Sequence, residues 1–185
     1  MVRARERGAG RFLEGARVDL FLDDEIEETV DPMDTVEAVI ASDDRFLAER
    51  AEDGDIHFSF KSTWGESAGY FSHRSELPAL LFTLGFELQA PKSRLTEAQR
   101  LAARINENLW LGHFDVWADD GTIIFRHAMP MIGRDEISVG EVQAMLAAAL
   151  DAADRFQPAF SFLILAGMPA EQAAEAALFE TAGEA

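Results

Sequence analysis

The chain has 185 residues, no cysteine and a formal net charge of −18 at pH 7. Without cysteine there are no disulfides, thiolate nucleophiles, Cys-ligated zinc sites or iron–sulfur clusters. So acidic a surface repels phosphate backbones and anionic lipids, which makes nucleic acid and membranes poor partners and a cytoplasmic protein the expectation.

Residues 1–17 carry Arg3, Arg5, Arg7, Arg11 and Arg17 among glycines, with no apolar stretch behind them that would make a signal sequence. Asp23, Asp24, Glu25, Glu27 and Glu28 follow almost without interruption. Two adjoining blocks of opposite sign predict a flexible charged extension over residues 1–30. Phe12, Leu13, Val18, Leu20, Phe21 and Leu22 are the residues that would instead let it dock as an arm or short strand.

The folded domain is expected over residues 31–185. Asp31 can cap a helix whose first position is Pro32, and Met33, Val36, Val39 and Ile40 share one face of it. Strands are expected at residues 46–51, 55–61 and 67–73. In the second, Ile56, Phe58 and Phe60 alternate with His57, Ser59 and Lys61. The strongest alternation is Leu80, Phe82, Leu84, Phe86 and Leu88, with a short helix over 75–82 as the competing reading.

Leu95, Ala98, Leu101, Ala102, Ile105 and Leu109 recur at helical spacing, with Thr96 and Gln99 spaced as a capping box. Asp120-Gly121 predicts a two-residue hairpin loop between strands at 114–118 and 122–128. That register sets Asp115 opposite Arg126 and Trp117 opposite Ile124 on the outer face. Ser138 and Glu141 make a second capping box ahead of Val142, Met145, Leu146, Ala149, Leu150 and Ala153. Pro158 predicts a break or bend before a buried segment at 160–166, because its ring clashes with the carbonyl four residues back. A last Ala-rich helix is expected over 169–181. The apolar run at 156–168 is too short to span a bilayer, which needs ~20 residues. Helix, strands, helix, two strands, helices is an α+β order: a mainly antiparallel sheet of about five strands, with helices packed on one face.

Ile105-Asn106-Glu107, Leu109-Trp110, Gly112-His113-Phe114-Asp115, Phe125-Arg126-His127 and Arg155-Phe156-Gln157-Pro158-Ala159-Phe160 together resemble the YbjN family, of the alphaproteobacterial type. The end of the chain, with Phe179-Glu180-Thr181 and Gly183-Glu184-Ala185, resembles it too. The resemblance covers about residues 31–185. It implies a bacterial sensory transduction regulator with a type III secretion chaperone-like fold, and it brings no catalytic residues.

His113, Asp115 and His127 are metal-ligand types, but the predicted register turns His127 to the core and the other two outward. Ser72 and His73 are adjacent, so a strand sends them to opposite faces, and there is no nucleophile elbow or phosphate loop. Asn106 and Asn108 read as amides that satisfy a helix end. The expected function is therefore a non-enzymatic binding or regulatory module, with no cofactor and no metal. It would hold a protein or peptide segment in a chaperone-like manner and form a homodimer, with Trp64, Trp117 and Ile124 as candidate contacts. The alternative is a small enzyme or metabolite sensor, with a cleft between the sheet and the C-terminal helices and with His73, His113 and Asp115 in it.

Overall fold

A computed structural model describes residues 31–74, 76 and 78–182, with side chains to residue 177. The expected extension at 1–30 lies outside the described residues. The elements in order are α1 (Pro32–Ala41), β1 (Leu47–Arg50), β2 (Ile56–Ser62), β3 (Gly65–Arg74), β4 (Ala79–Gln89), α2 (Leu95–Asn106), β5 (His113–Val116), β6 (Thr122–Pro130), α3 (Val139–Ile164) and α4 (Ala170–Ala182).

The six strands form one antiparallel sheet in the order β1-β2-β3-β4-β6-β5. Each of the six segments read as a strand takes part, one more than the expected sheet of about five, and the fully exposed, non-alternating β1 joins the ladder through its pairing to β2. All four helices lie to one side. α1 packs on β1, β2 and β3, α3 on β4 and β6, and α2 against β5. α4 packs on α2 and α3. The α+β order read from the sequence is thus the architecture, and residues 79–82 belong to β4 rather than to the competing helix.

The buried face is a phenylalanine layer. Phe58, Phe71, Phe82 and Phe125 cross the sheet, and Phe114 meets Phe156 and Phe160 of α3 edge-on or tilted. Burial of an aromatic or aliphatic side chain stabilises by roughly 1.5–3 kcal/mol, so this layer is the main source of stability. Gly69 makes it possible: a Cβ there would lie 2.7 Å from the Phe58 ring and from the Thr83 carbonyl oxygen.

The helix ends follow the capping chemistry in two cases of three. Asp31 accepts from the Met33 N–H, with Pro32 next to it. Arg50 of β1 reaches back to Asp31, Asp34 and Glu37 at the start of α1. Ser138 and Glu141 form the full capping box. The Thr96–Gln99 box does not form. α2 starts one residue before Thr96, behind Arg94, and has no side-chain cap. Gln99 is spent elsewhere, donating to the Val116 carbonyl at 3.5 Å.

Pro158 does not end its helix. α3 runs through it for 26 residues. An interior proline costs about 3 kcal/mol in a free helix. Here Phe156, Ala159, Phe160 and Leu163, all buried, hold both sides of it on the sheet. The packing of that apolar face outweighs the lost donor.

The β5–β6 hairpin also departs from its expected register. Asp115 faces Ile124, Phe114 faces Phe125 and His113 faces Arg126. The loop is four residues, 118–121, closed by Trp117 N–H to the Thr122 carbonyl and Gly121 N–H to the Trp117 carbonyl. Gly121 sits at φ +77°, and a Cβ there would meet the Ala90 carbonyl oxygen at 2.0 Å. The Ala90 N–H in turn donates to the Gly121 carbonyl. Docking onto residue 90 fixes a longer loop than a free Asp-Gly pair would choose. Because the slip is two residues, every side chain keeps its face.

Candidate interaction surface

The helices leave the second face of the sheet bare among the described residues. Cross-strand pairing assembles that face row by row. One row is Leu47, Ser59, Ala68, Gly85, Ile124 and Asp115; the next is Glu49, His57, Tyr70, Thr83, Arg126 and His113. Small residues at Ser59, Ala68 and Gly85 leave two shallow depressions of about 390 and 320 Å³. Leu47, Glu49 and His57 frame the first, and Glu66 and Glu87 frame the second. His57 stacks on Tyr70 at 5.6 Å between ring centroids.

Two tryptophans stand at turns. Trp64 occupies the two-residue loop between β2 and β3, where its N–H donates to Ser62 Oγ, and it is 42% exposed. Trp117 follows β5 and is 46% exposed. Ile124 differs. It faces Asp115 rather than Trp117 and is only 2% exposed, so it offers almost no surface in the monomer. Asp115 and Arg126 are diagonal neighbours rather than direct partners, and their charged groups still come within 3.9 Å. Both are about half exposed, where an ion pair is worth ~0–1 kcal/mol.

The residues weighed for chemistry are dispersed. By register His127 lies on the helix-covered face, while His113 and Asp115 lie on the bare one. Burial, and then the nearby His113, push the His127 pKa down. His73 and Ser72 point to opposite faces. The space between the sheet and α3 is filled by Phe114, Phe156 and Phe160 rather than forming a cleft.

A carboxylate cluster that the sequence reading passed over lies at the β2 start. Asp53, Asp55 and His57 bring ligand-type atoms within 4.8 Å of one another. Asp55 is buried, and its oxygens accept from Ser72 Oγ (2.7 Å) and from both Arg74 terminal nitrogens (3.0 and 3.2 Å). Asp53 accepts from the Asp55 N–H. Burial acts to raise the Asp55 pKa, but the Arg74 and Ser72 hydrogen bonds outweigh it and hold the carboxyl below its ordinary value. Both Asp55 oxygens are thus already committed to the ion pair with Arg74 and to Ser72.

The two sheet edges are unlike. At the β5 edge, Asn106 of α2 donates to the Phe114 carbonyl and accepts from the Phe114 N–H (3.0 and 2.8 Å). Val116 N–H finds Asp115 Oδ1, and its carbonyl finds Gln99. Side chains thus seal that edge: Asn106 is spent on β5 rather than on the end of α2, where only Asn108 donates as expected, to the Arg104 carbonyl. At the β1 edge, Ala51 N–H bonds to the Asp55 carbonyl, so ladder alternation turns the N–H and C=O of Ala48 and Arg50 outward. No side chain among the described residues meets them there.

Trp110 is an exposed aromatic that the sequence gives no reason to single out. It is 99% exposed and followed by Leu111 at 50%. Its helical periodicity had run out at Leu109, which does pack against the core. An aromatic flanked by two leucines gives no sign in sequence of which one turns outward.

A family model, YbjN, described as "Putative bacterial sensory transduction regulator", matches residues 32–162. No curated protein matches the chain. Among solved structures, the chain is similar to one titled "Crystal Structure of the ExsC-ExsE Complex". The identity is 19% and the TM-score 0.47, with 69% of this chain and 95% of that chain covered. No helix among the described residues is long and apolar enough to cross a membrane.

Proposed function

The chain belongs to the YbjN family, and on that premise we propose that it is a non-enzymatic regulatory or binding module which receives a polypeptide segment on the bare face of its sheet. The observation that carries this reading is the uncovered face itself. A six-stranded sheet normally buries both faces or shows water a clean polar one. This one shows a flat strip at Ser59, Ala68 and Gly85, with Leu47 at 77% exposure and two half-exposed tryptophans at its turns. Exposed aromatics beside a shallow apolar strip are the usual anchors of a protein contact. The outward N–H and C=O groups of Ala48 and Arg50 offer main-chain bonding alongside.

The same face suits a homodimer, with Trp64 and Trp117 contributing and the nearly buried Ile124 adding little. A long basic partner is not required, because the face mixes Glu49, Glu66, Glu87 and Asp115 with His57, Lys61 and Arg126. The decisive experiment compares the natural chain with Ala68→Arg. Ala68 is exposed on the strip, so the substitution leaves the core intact. Light scattering gives the mass, and affinity capture gives any bound polypeptide. Loss of the dimer or of a stoichiometric partner on Ala68→Arg supports the reading. A monomer that captures nothing, or a partner indifferent to Ala68→Arg, sinks it.

A further inference from the structure

A second surface lies on the helical side, away from the sheet strip. The C-terminal turn of α2, Phe156 of α3 and α4 enclose a groove of about 190 Å³. Its floor is Ile105, Phe156 and Ala174. Its rim carries Glu107, Glu171 and Glu175 against a single Arg104. Asn108 also lines it, and Trp110 stands two residues further on, 99% exposed.

That loop is held firmly. Asn108 N–H donates to the Ile105 carbonyl, Leu109 N–H to the Asn106 carbonyl, and Asn106 is clamped to Phe114. Gly112 ends it at φ +71°, where a Cβ would strike the Phe125 ring at 2.2 Å. A tryptophan displayed wholly in water on a fixed loop, next to an apolar floor with an acidic rim, is matched to an arginine-rich segment. Carboxylates take the guanidinium, and the indole face takes its flat side.

The chain contains such a segment. Residues 1–17 hold Arg3, Arg5, Arg7, Arg11 and Arg17 against Glu6 and Glu14, with Phe12-Leu13 next to Arg11. From residue 31 onward, Asp and Glu outnumber Lys and Arg by 26 to 11. Residues 18–30 separate the two parts, and thirteen residues reach up to about 43 Å, roughly the width of a domain of this size. A short tether gives an effective concentration on the order of millimolar, so even a weak match is occupied.

We propose that the basic segment, residues 3–17, docks in this groove of its own chain. Phe12 sits on the Phe156 floor, and the flanking arginines engage Glu107, Glu171, Glu175 and Trp110. The surface is distinct from the sheet strip, so the two sites are separable.

The test places a benzophenone photocrosslinker at Phe12 of the full chain and maps products by mass spectrometry on a mixture of light and heavy protein. The expected product is intramolecular and falls within residues 104–111 or 171–175. It drops at least about fivefold in 1 M salt, where the screening length is ~3 Å. It drops similarly on the combined Glu107→Lys, Glu171→Lys and Glu175→Lys change, with unchanged circular dichroism. If that triple variant misfolds, Trp110→Ala alone serves, and it should lower the yield in the same direction. Products on the sheet strip, mixed light–heavy products, or a yield indifferent to both salt and charge reversal would overturn the docking.

Discussion

Asp55 shows how one residue ties pH to stability. Its folded pKa is held below the ordinary value despite burial, because Arg74 and Ser72 donate to it. A depressed carboxyl contributes stability that is present above the unfolded pKa and is lost as pH falls through the folded one. Acid unfolding should therefore steepen below about pH 4. Asp55→Asn should unfold more readily at pH 7, by about 1–3 kcal/mol, and should show a flatter stability profile between pH 4 and 2. Urea midpoints at several pH values read both effects. Equal slopes for the two proteins would contradict the account. Gly121→Ala works through backbone. With φ at +77° and the Ala90 oxygen in the way, it should cost at least about 1–3 kcal/mol, seen as a lower Tm.

Among the elements, α3 carries the clearest capping prediction. Ser138 N–H, then Arg134 and Ser138 Oγ, donate to Glu141 and pull its pKa to about 2. The capping box is therefore intact above the unfolded value and lost as pH falls through about 2. An NMR titration should place the Glu141 carboxyl near that value. Ser138→Ala should cost about 0.5–2 kcal/mol and raise the Glu141 pKa. A titration near the ordinary glutamate value would mean that the box is open in solution. Which elements were legible follows from the same physics. Strict alternation in β2 and β4, and the stripe on α3, announce buried faces, because only burial imposes a period. The Thr96 box failed because Gln99 had a better acceptor at the β5 edge. The hairpin length failed because Ala90, 31 positions earlier, decides it. The helix is unbroken at Pro158 because phenylalanines hold it down, whereas sequence shows only the missing donor. On the surface, the exposure of Trp64 follows from its turn and that of Trp117 from the outer face of its hairpin. That of Trp110 follows from neither, since exposure of a residue in an apolar run depends on which neighbour the core accepts.

At the scale of the whole molecule, net charge and local contact oppose each other. A pair of chains at −18 each repel at long range, so an association through the sheet strip has to be short-range and apolar. Raising salt from about 0.05 to 0.5 M should leave the dimer fraction unchanged or slightly higher, while the docking of residues 3–17 weakens. Analytical ultracentrifugation at both salts separates the two. A dimer that dissociates with salt would place its interface among the charged rims instead of the strip.

The unequal sheet edges bear on growth. A strand edge is a template for its own extension, and a protein with two of them can add copies without end. Here Asn106, Gln99 and Asp115 have closed one end, so among the described residues the ladder has a single free terminus. Any copy that joins there by strand pairing brings its own sealed side outward. Joining is therefore a terminating step, and the product is a pair rather than a fibre. Opening the sealed side, as Asn106→Ala would, turns a chain terminator into a chain extender. Turbidity and thioflavin binding should rise in that variant before its secondary structure is lost.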